Sequence, residues 1–234
     1  MLPRVIVHNE VSLDGRIDWF SPHVELYYSL VGQWPHEVVL TGADTVIAAE
    51  GDEPETAEDM APPPPVPGDT RPLFAVVDSR GRFRKWHELR RMPYARGLVA
   101  ICSKATPQDY LDYLAARQID VIVAGEDRVD LRAALEEMNA RYGVTAVRAD
   151  SGGALNGALL RAGLVSEVSV LIAPALVGGT SPRSFFRAPD LTSSEGVIPL
   201  RLTHLERLDG DVVWLRYEVV PSAEQARRNA DEHG

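Results

Sequence analysis

The chain reads as an α/β protein: a mixed, mainly parallel sheet with helices on both faces and an antiparallel hairpin at the carboxyl end. Three observations predict it. Short apolar runs of strand length alternate with capped helical segments, the arrangement that βαβ units require. Most of these runs are dense in Val, Ile and Leu without strict polar alternation, as strands buried on both faces are. Near the end, two alternating runs, 201–208 and 212–219, flank Asp209-Gly210, which is hairpin chemistry.

In chain order, Pro3 to Asn9 is the first expected strand. Ser21 as N-cap and Pro22 at the first helical position predict a helix running towards Gln33. Glu37 to Thr41 gives a second strand and Ala43 to Glu50 a short helix stopped by Gly51. Asp52 to Pro72 then holds seven prolines, which excludes regular helix and favours an extended loop, expected near the mouth of an active site. Strands follow at Leu73 to Asp78, Leu98 to Cys102 and Ile119 to Val123. Helices capped at Thr106-Pro107 and at Asp130 lie on either side of the last, with Gly143 as a C-cap. A buried strand leads into Ser151-Gly152-Gly153, a helix leaves it, and Val168 to Ile172 is a further strand.

Composition bounds the function. The 234 residues, 45% hydrophobic and 25% charged, suffice for one substantial core, expected as one domain over 1–220 with a frayed tail at 221–234. No run is long enough to cross a bilayer and the amino terminus lacks a signal-peptide pattern, so a cytoplasmic location is expected. A formal charge of −10 argues against nucleic-acid binding. Locally the sign reverses: Arg80, Arg82, Arg84, Lys85, Arg90, Arg91 and Arg96 face only Glu88 within that stretch, a solvated basic loop from which Arg80, at a strand end, stands apart. Cys102 sits in an apolar run and reads as a reduced core thiol. The six histidines lack metal-site spacing, and neither a Gly-x-Ser-x-Gly elbow nor a Gly-x-x-x-x-Gly-Lys loop occurs, so no metal is expected. The glycines before the helix at 153 allow two readings, a tight turn or a backbone cradle for phosphate at a helix amino end.

Four patches carry a family likeness: Val11-Ser12-Leu13-Asp14-Gly15-Arg16-Ile17, Gly42-Ala43-Asp44-Thr45-Val46, Val76-Val77-Asp78-Ser79-Arg80, and the segment from Asp150 to Gly178-Gly179. In this order they resemble the RibD C-terminal family, the riboflavin-pathway pyrimidine reductases related to dihydrofolate reductase, over much of residues 3 to 220. The resemblance implies a dihydrofolate reductase-like sheet, and NADPH held by Gly42, Thr45, Asp52, Asp78, Ser79, Arg80, Gly125, Ser151, Gly152, Gly153 and Ala154. Within that set Ser79 and Arg80 suit the 2′-phosphate, since guanidinium matches phosphate bidentately. The implied substrate is a ribosylamino-pyrimidinone 5′-phosphate, bound by Asn9, Asp14, Gly15 and Trp19; no catalytic side chain is assigned. Trp19-Phe20 and Trp34 offer aromatic surface for stacking on the heterocycle. Asp150 stands where the family has Glu, Ser151 replaces a glycine, and of the next motif only Asp52-Glu53-Pro54 is recognisable. A reductase of a pterin or other heterocycle, and a non-catalytic NADP(H)-binding regulatory module, therefore stay open. A homodimer is expected, with Val168 to Ile172 bordering its surface.

Overall fold

The computed structural model describes residues 1–49, 51–180 and 183–220. Strands run β1 Arg4–Ser12, β2 Val38–Gly42, β3 Leu73–Val77, β4 Gly97–Cys102, β5 Asp120–Val123, β6 Ala146–Ala149, β7 Glu167–Ala173, β8 Leu200–Arg207 and β9 Val213–Val219. Helices are α1 Val24–Leu30, α2 Ala43–Ala48, α3 Trp86–Arg90, α4 Gln108–Ala116, α5 Leu131–Tyr142 and α6 Gly153–Arg161. The described residues form two compact bodies, one from Met1–Pro3 and Pro35–Asp150, the other from Arg4–Trp34 and the described residues between 151 and 220. The expected class holds: the strands are mainly parallel and the carboxyl-terminal ones antiparallel.

In the first body the strands lie in the order β5-β4-β3-β2-β6, all parallel. Side chains alternate across a strand, and here both sides are buried. Phe74, Val76, Ala100 and Cys102 pack on one face with Trp86 and Leu89 of α3 and Tyr110 and Leu114 of α4. The intervening Ala75, Val99, Ile101 and Ile122 are at most 1% exposed. That burial pushes the Cys102 thiol up to about 12, with Asp78 adding to the shift, which fits a core thiol. Asp130 caps α5 through Ala133 N–H at 3.1 Å, and Gly143, at φ 68°, ends it.

Several boundaries differ from expectation for local reasons. Pro107, not Thr106, occupies the N-cap of α4; the Thr106 hydroxyl donates to Ser79 O and accepts from Ser103 N–H, each at 3.0 Å. β3 stops at Val77 because Asp78 turns the chain, its carboxylate accepting the N–H groups of Arg82 and Phe83 at 2.6 and 2.9 Å. α2 ends at Ala48, before the expected Glu50. The basic stretch is no solvated loop. It contains α3, and most of its cations are consumed: Arg82 pairs with Asp44 at 2.6 Å, Arg84 lies over Tyr110, and Arg91 takes Glu53 at 2.7 Å and Asp59 at 2.5 Å. Lys85 bonds Gly51 O, Arg90 bonds Asp59 O, and Arg117 grips Glu55 at 2.5 Å. This latch pins residues 51–60. Pro62 and Pro63 line a shallow cavity with Leu89, Ala95 and Gly97, at the amino end of β4 rather than at the carboxyl ends of the strands, where an active-site mouth was expected.

In the second body the order is β1-β7-β9-β8, with β1 and β7 parallel and the rest antiparallel. Ile6 joins Leu30, Trp34, Leu171 and Trp214 in the core, and His8 stacks on Tyr27 with centroids 4.4 Å apart. Glu10, on the same face, explains why α1 begins late. Its carboxylate binds His23 through the backbone N–H at 2.8 Å and the ring Nδ1 at 2.7 Å, so His23, not Ser21, is the N-cap. Trp34 is 2% exposed and donates its indole N–H to Glu167 at 2.9 Å, which makes it a core residue and not a stacking surface. Burial opposes ionisation of Glu167, yet Arg216, Trp34 and Arg4 outweigh it and hold the carboxyl below its ordinary range. β7 is interior, between β1 and β9, and Val168, Val170 and Leu171 are buried; the expected intersubunit role of Val168 to Ile172 fails on that ground. Gly210 and Asp211, both at positive φ, turn the expected hairpin. The expected frayed tail, 221–234, lies outside the described residues.

Candidate functional site

On the first body, the loop after β3 is held by its neutral groups while its charge faces out. Ser79 Oγ accepts Val129 N–H at 3.0 Å and Ser79 O accepts the Thr106 hydroxyl. A hydroxyl that accepts one bond retains its own proton to donate. Arg80 is exposed and, among the described residues, makes no hydrogen bond or ion pair. Asp78 differs: it is 2% exposed, its Oδ2 accepts the N–H groups of Arg82 and Phe83 and so forms the turn, and its buried Oδ1 has no partner among the described residues. Gly125 is likewise a shaping residue. At φ 86°, a Cβ there would sit 2.2 Å from Arg128 O. Gly42 is the N-cap of α2 and Thr45 lies half-buried in its first turn. Asp52 is exposed in the latched loop.

On the second body, Ser151, Gly152, Gly153 and Ala154 lead into α6. Gly152 is the N-cap and Ala154 is exposed on the first turn. Gly153 meets the chain itself: its Cβ position is 2.0 Å from Ser184 O and 3.2 Å from the Arg187 Cβ, and its carbonyl accepts Arg187 N–H at 2.9 Å. A Cβ on Gly157, one turn on, would likewise overlap Arg187 O. Close packing therefore explains Gly153 without a ligand, while the first-turn N–H groups of α6 keep the positive end of a helix dipole.

The residues expected at the substrate are brought together, but mostly by binding one another. Asn9 is 9% exposed; it donates to Ser151 O at 2.9 Å and accepts from Asn156 Nδ2 at 2.8 Å. Asp14 accepts the Ser12 hydroxyl at 2.7 Å and the N–H groups of Val177 and Gly178 at 3.0 and 2.7 Å. Those bonds, the Ser12 one foremost, hold its carboxyl far below the usual range, so it is an ionised clip and no proton donor. Gly15, at φ 76°, donates to Ser12 O at 2.8 Å and accepts from Phe185 N–H. Trp19 is presented outward: 83% exposed, at a φ of 67° that a bulky residue rarely adopts.

Sequence reasoning passed over Asn156 and Arg148. Asn156 is fully buried, and its amide donates to Asn9, Ser151 O and Phe185 O. The signal was a lone amide among the apolar residues of Leu155 to Leu160. Arg148, 4% exposed, pairs with Asp150 at 2.8 Å, which gives the shorter acid a local partner. Among the described residues no cluster of His, Cys, Asp and Glu could hold a metal, and no helix is long and apolar enough to cross a membrane.

On the first body, an exposed strand-end cation beside a hydroxyl that still has a proton to donate suits a phosphate group. The chain belongs to the RibD C-terminal domain family, whose profile matches residues 3–214. Among its relatives, 2,5-diamino-6-ribosylamino-4(3H)-pyrimidinone 5′-phosphate reductase of Methanothermobacter thermautotrophicus is 29% identical over 91% of this chain and 97% of that protein. The enzyme of the same name from Archaeoglobus fulgidus is 29% identical over 93% and 99%. In fold, the chain is similar to a pyrimidine reductase-like protein of Corynebacterium diphtheriae, with a TM-score of 0.72 at 17% identity over 94% and 93% of the two chains. It also matches Acinetobacter baumannii RibD, with a TM-score of 0.69 at 22% identity; there it spans 94% of its own length but only 58% of that chain.

Proposed function

We propose that this protein is an NADPH-dependent reductase that converts a ribosylamino-pyrimidinone 5′-phosphate to its ribitylamino form in riboflavin biosynthesis. The observation that carries the reading is the family match along nearly the whole chain, to relatives named for that reaction. The donor chemistry fits the cofactor: Arg80 and the Ser79 hydroxyl are available to a phosphomonoester, and the first turn of α6 to a pyrophosphate. When bound, NADPH supplies a hydride to C1 of the opened ribose.

The chain's own residues supply position and charge. Arg80 and Ser79 bind the 2′-phosphate; Ala154 and Gly153 present first-turn N–H groups to the pyrophosphate. Gly42 and Thr45 hold a further phosphate oxygen. Trp19 stacks on the heterocycle, which its exposure permits. Asp14, being ionised, neither gives nor takes the proton of the reaction; it fixes the loop at Val177 and Gly178. Orientation is thus the main catalytic contribution.

The competing reading is a pterin reductase. Loss of NADPH absorbance on adding the ribosylaminopyrimidinone phosphate, and none with dihydropterins, is the expected result; the reverse rejects the substrate. Tight NADPH binding with no turnover on either favours a regulatory module. We further propose a cytoplasmic homodimer. Its surface is to be sought at β8, where Leu200, Leu202 and Leu205 are 45–65% exposed. Light scattering should give twice 25.7 kDa.

A further inference from the structure

Most of the first body's cations near Ser79 are spent on acids or carbonyls, which makes the exceptions informative. Arg128 is one. Like Arg80 it is exposed and makes no hydrogen bond or ion pair among the described residues. The two arginines sit on different loops that are joined: Val129, next to Arg128, donates its N–H to the hydroxyl of Ser79, next to Arg80, at 3.0 Å. Both loops follow the carboxyl ends of parallel strands, β3 and β5, where α/β sheets bind ligands.

The loop bearing Arg128 is held along its backbone. Gly125 O accepts Lys104 N–H, Glu126 O accepts Ala105 N–H, and Asp130 N–H reaches Ala124 O, each at 3.0 Å. Gly125 at φ 86° folds the loop back so tightly that a Cβ would strike Arg128 O. Nearby acids are engaged elsewhere: Glu126 with Lys104 at 2.6 Å, Asp130 as the cap of α5, Asp44 with Arg82. Asp127, exposed, bonds only through its carbonyl, to the Ser103 hydroxyl.

We propose that Arg128 is a second specificity-determining residue that binds, with Arg80 and the Ser79 hydroxyl, the 2′-phosphate that distinguishes NADPH from NADH. The inference rests on the cofactor reading above. A phosphomonoester carries close to two negative charges near neutral pH, and one guanidinium balances half of that. A second, on a loop whose backbone is already held before binding, adds attraction without the further cost of ordering that loop.

Isothermal titration of the unliganded protein with NADPH, NADH and adenosine 2′,5′-bisphosphate tests it. Arg128→Ala should weaken NADPH and the bisphosphate about ten-fold, as loss of a charge-assisted contact does, and NADH less than about two-fold. Arg128→Lys should restore part of the loss, which a merely structural role would not produce, and should guard against a misfolded alanine variant. Equal weakening of NADH, or unchanged NADPH affinity in both variants, overturns the role of Arg128. Selectivity lost in Arg80→Ala but kept in Arg128→Ala rejects this inference and spares the reading beneath it. Wild-type protein that binds NADPH and NADH alike rejects both.

Discussion

The loop at Ser79 and the loop at Ser151 both follow parallel strands and both carry small polar residues, yet they are built in opposite ways. At Ser151 the glycines are used internally: Gly153 and Gly157 let the backbone of 184–187 lie against α6. At Ser79 the neutral groups hold the fold and the charged one is left outside. A glycine pair is thus weak evidence for a ligand until its surroundings are known. Arg80, unpaired among the described residues while Arg82, Arg84, Arg90 and Arg91 of the same stretch are engaged, is stronger evidence.

The largest expected effect comes from disturbing the packed loop. Gly153→Val, read from sequence, should block cofactor binding and spare the fold. The structure reverses that expectation, because the new side chain meets Ser184 O; a loss of about 3 kcal/mol, the upper end for overpacking, is expected as a fall in melting temperature. An unchanged melting temperature would restore the ligand-only explanation. The open loop should answer in the other observable. Arg80→Ala should cost about 1.5–3 kcal/mol of NADPH affinity by titration, with melting unmoved and NADH barely affected.

The latch gives a smaller, pH-dependent effect. The Arg91 guanidinium foremost, with Thr56, holds the Asp59 carboxyl well below its ordinary value, and Arg117 lowers Glu55. Since the folded values are depressed, their stabilisation is complete above the ordinary carboxylate range and fades as pH falls through the folded values. Asp59→Asn should therefore lose about 1–2 kcal/mol at pH 7, and its melting curve should converge on the wild type in strong acid. A constant gap from pH 7 to pH 3 and below would mean that ionisation is not what pins the loop. Least of all, Cys102→Ser should leave turnover nearly intact, with a modest stability loss from a hydroxyl in apolar surroundings.

Much of the fold was legible because its determinants are local: Asp130 and Gly143 bound α5, Asp209-Gly210 turns the hairpin, and buried strands announce themselves as apolar runs. What was not legible is non-local. Arg117 and Glu55 are 62 residues apart, and Arg91 and Asp59 are 32, so a count of charges along the stretch could not show that α3 binds its own chain. Ser21-Pro22 is a sound helix start, overruled by a carboxylate 13 residues before His23. At the candidate site, Arg80 and Trp19 are exposed. Asn9 lies within β1 and Asp14 and Asp78 just past strand ends, and nothing in the spacing of these polar residues separates those that bind ligands from those that bind the chain itself.

Hydride transfer to the sugar carbon is the step on which the proposed function stands. NADPH deuterated at the transferring position of C4, incubated with the ribosylaminopyrimidinone phosphate and the enzyme, should yield a ribitylamino product one mass unit heavier than that from unlabelled cofactor, with the deuterium on C1 of the ribityl chain by NMR. A reduced product without the label, or with it on the heterocycle, would contradict the account.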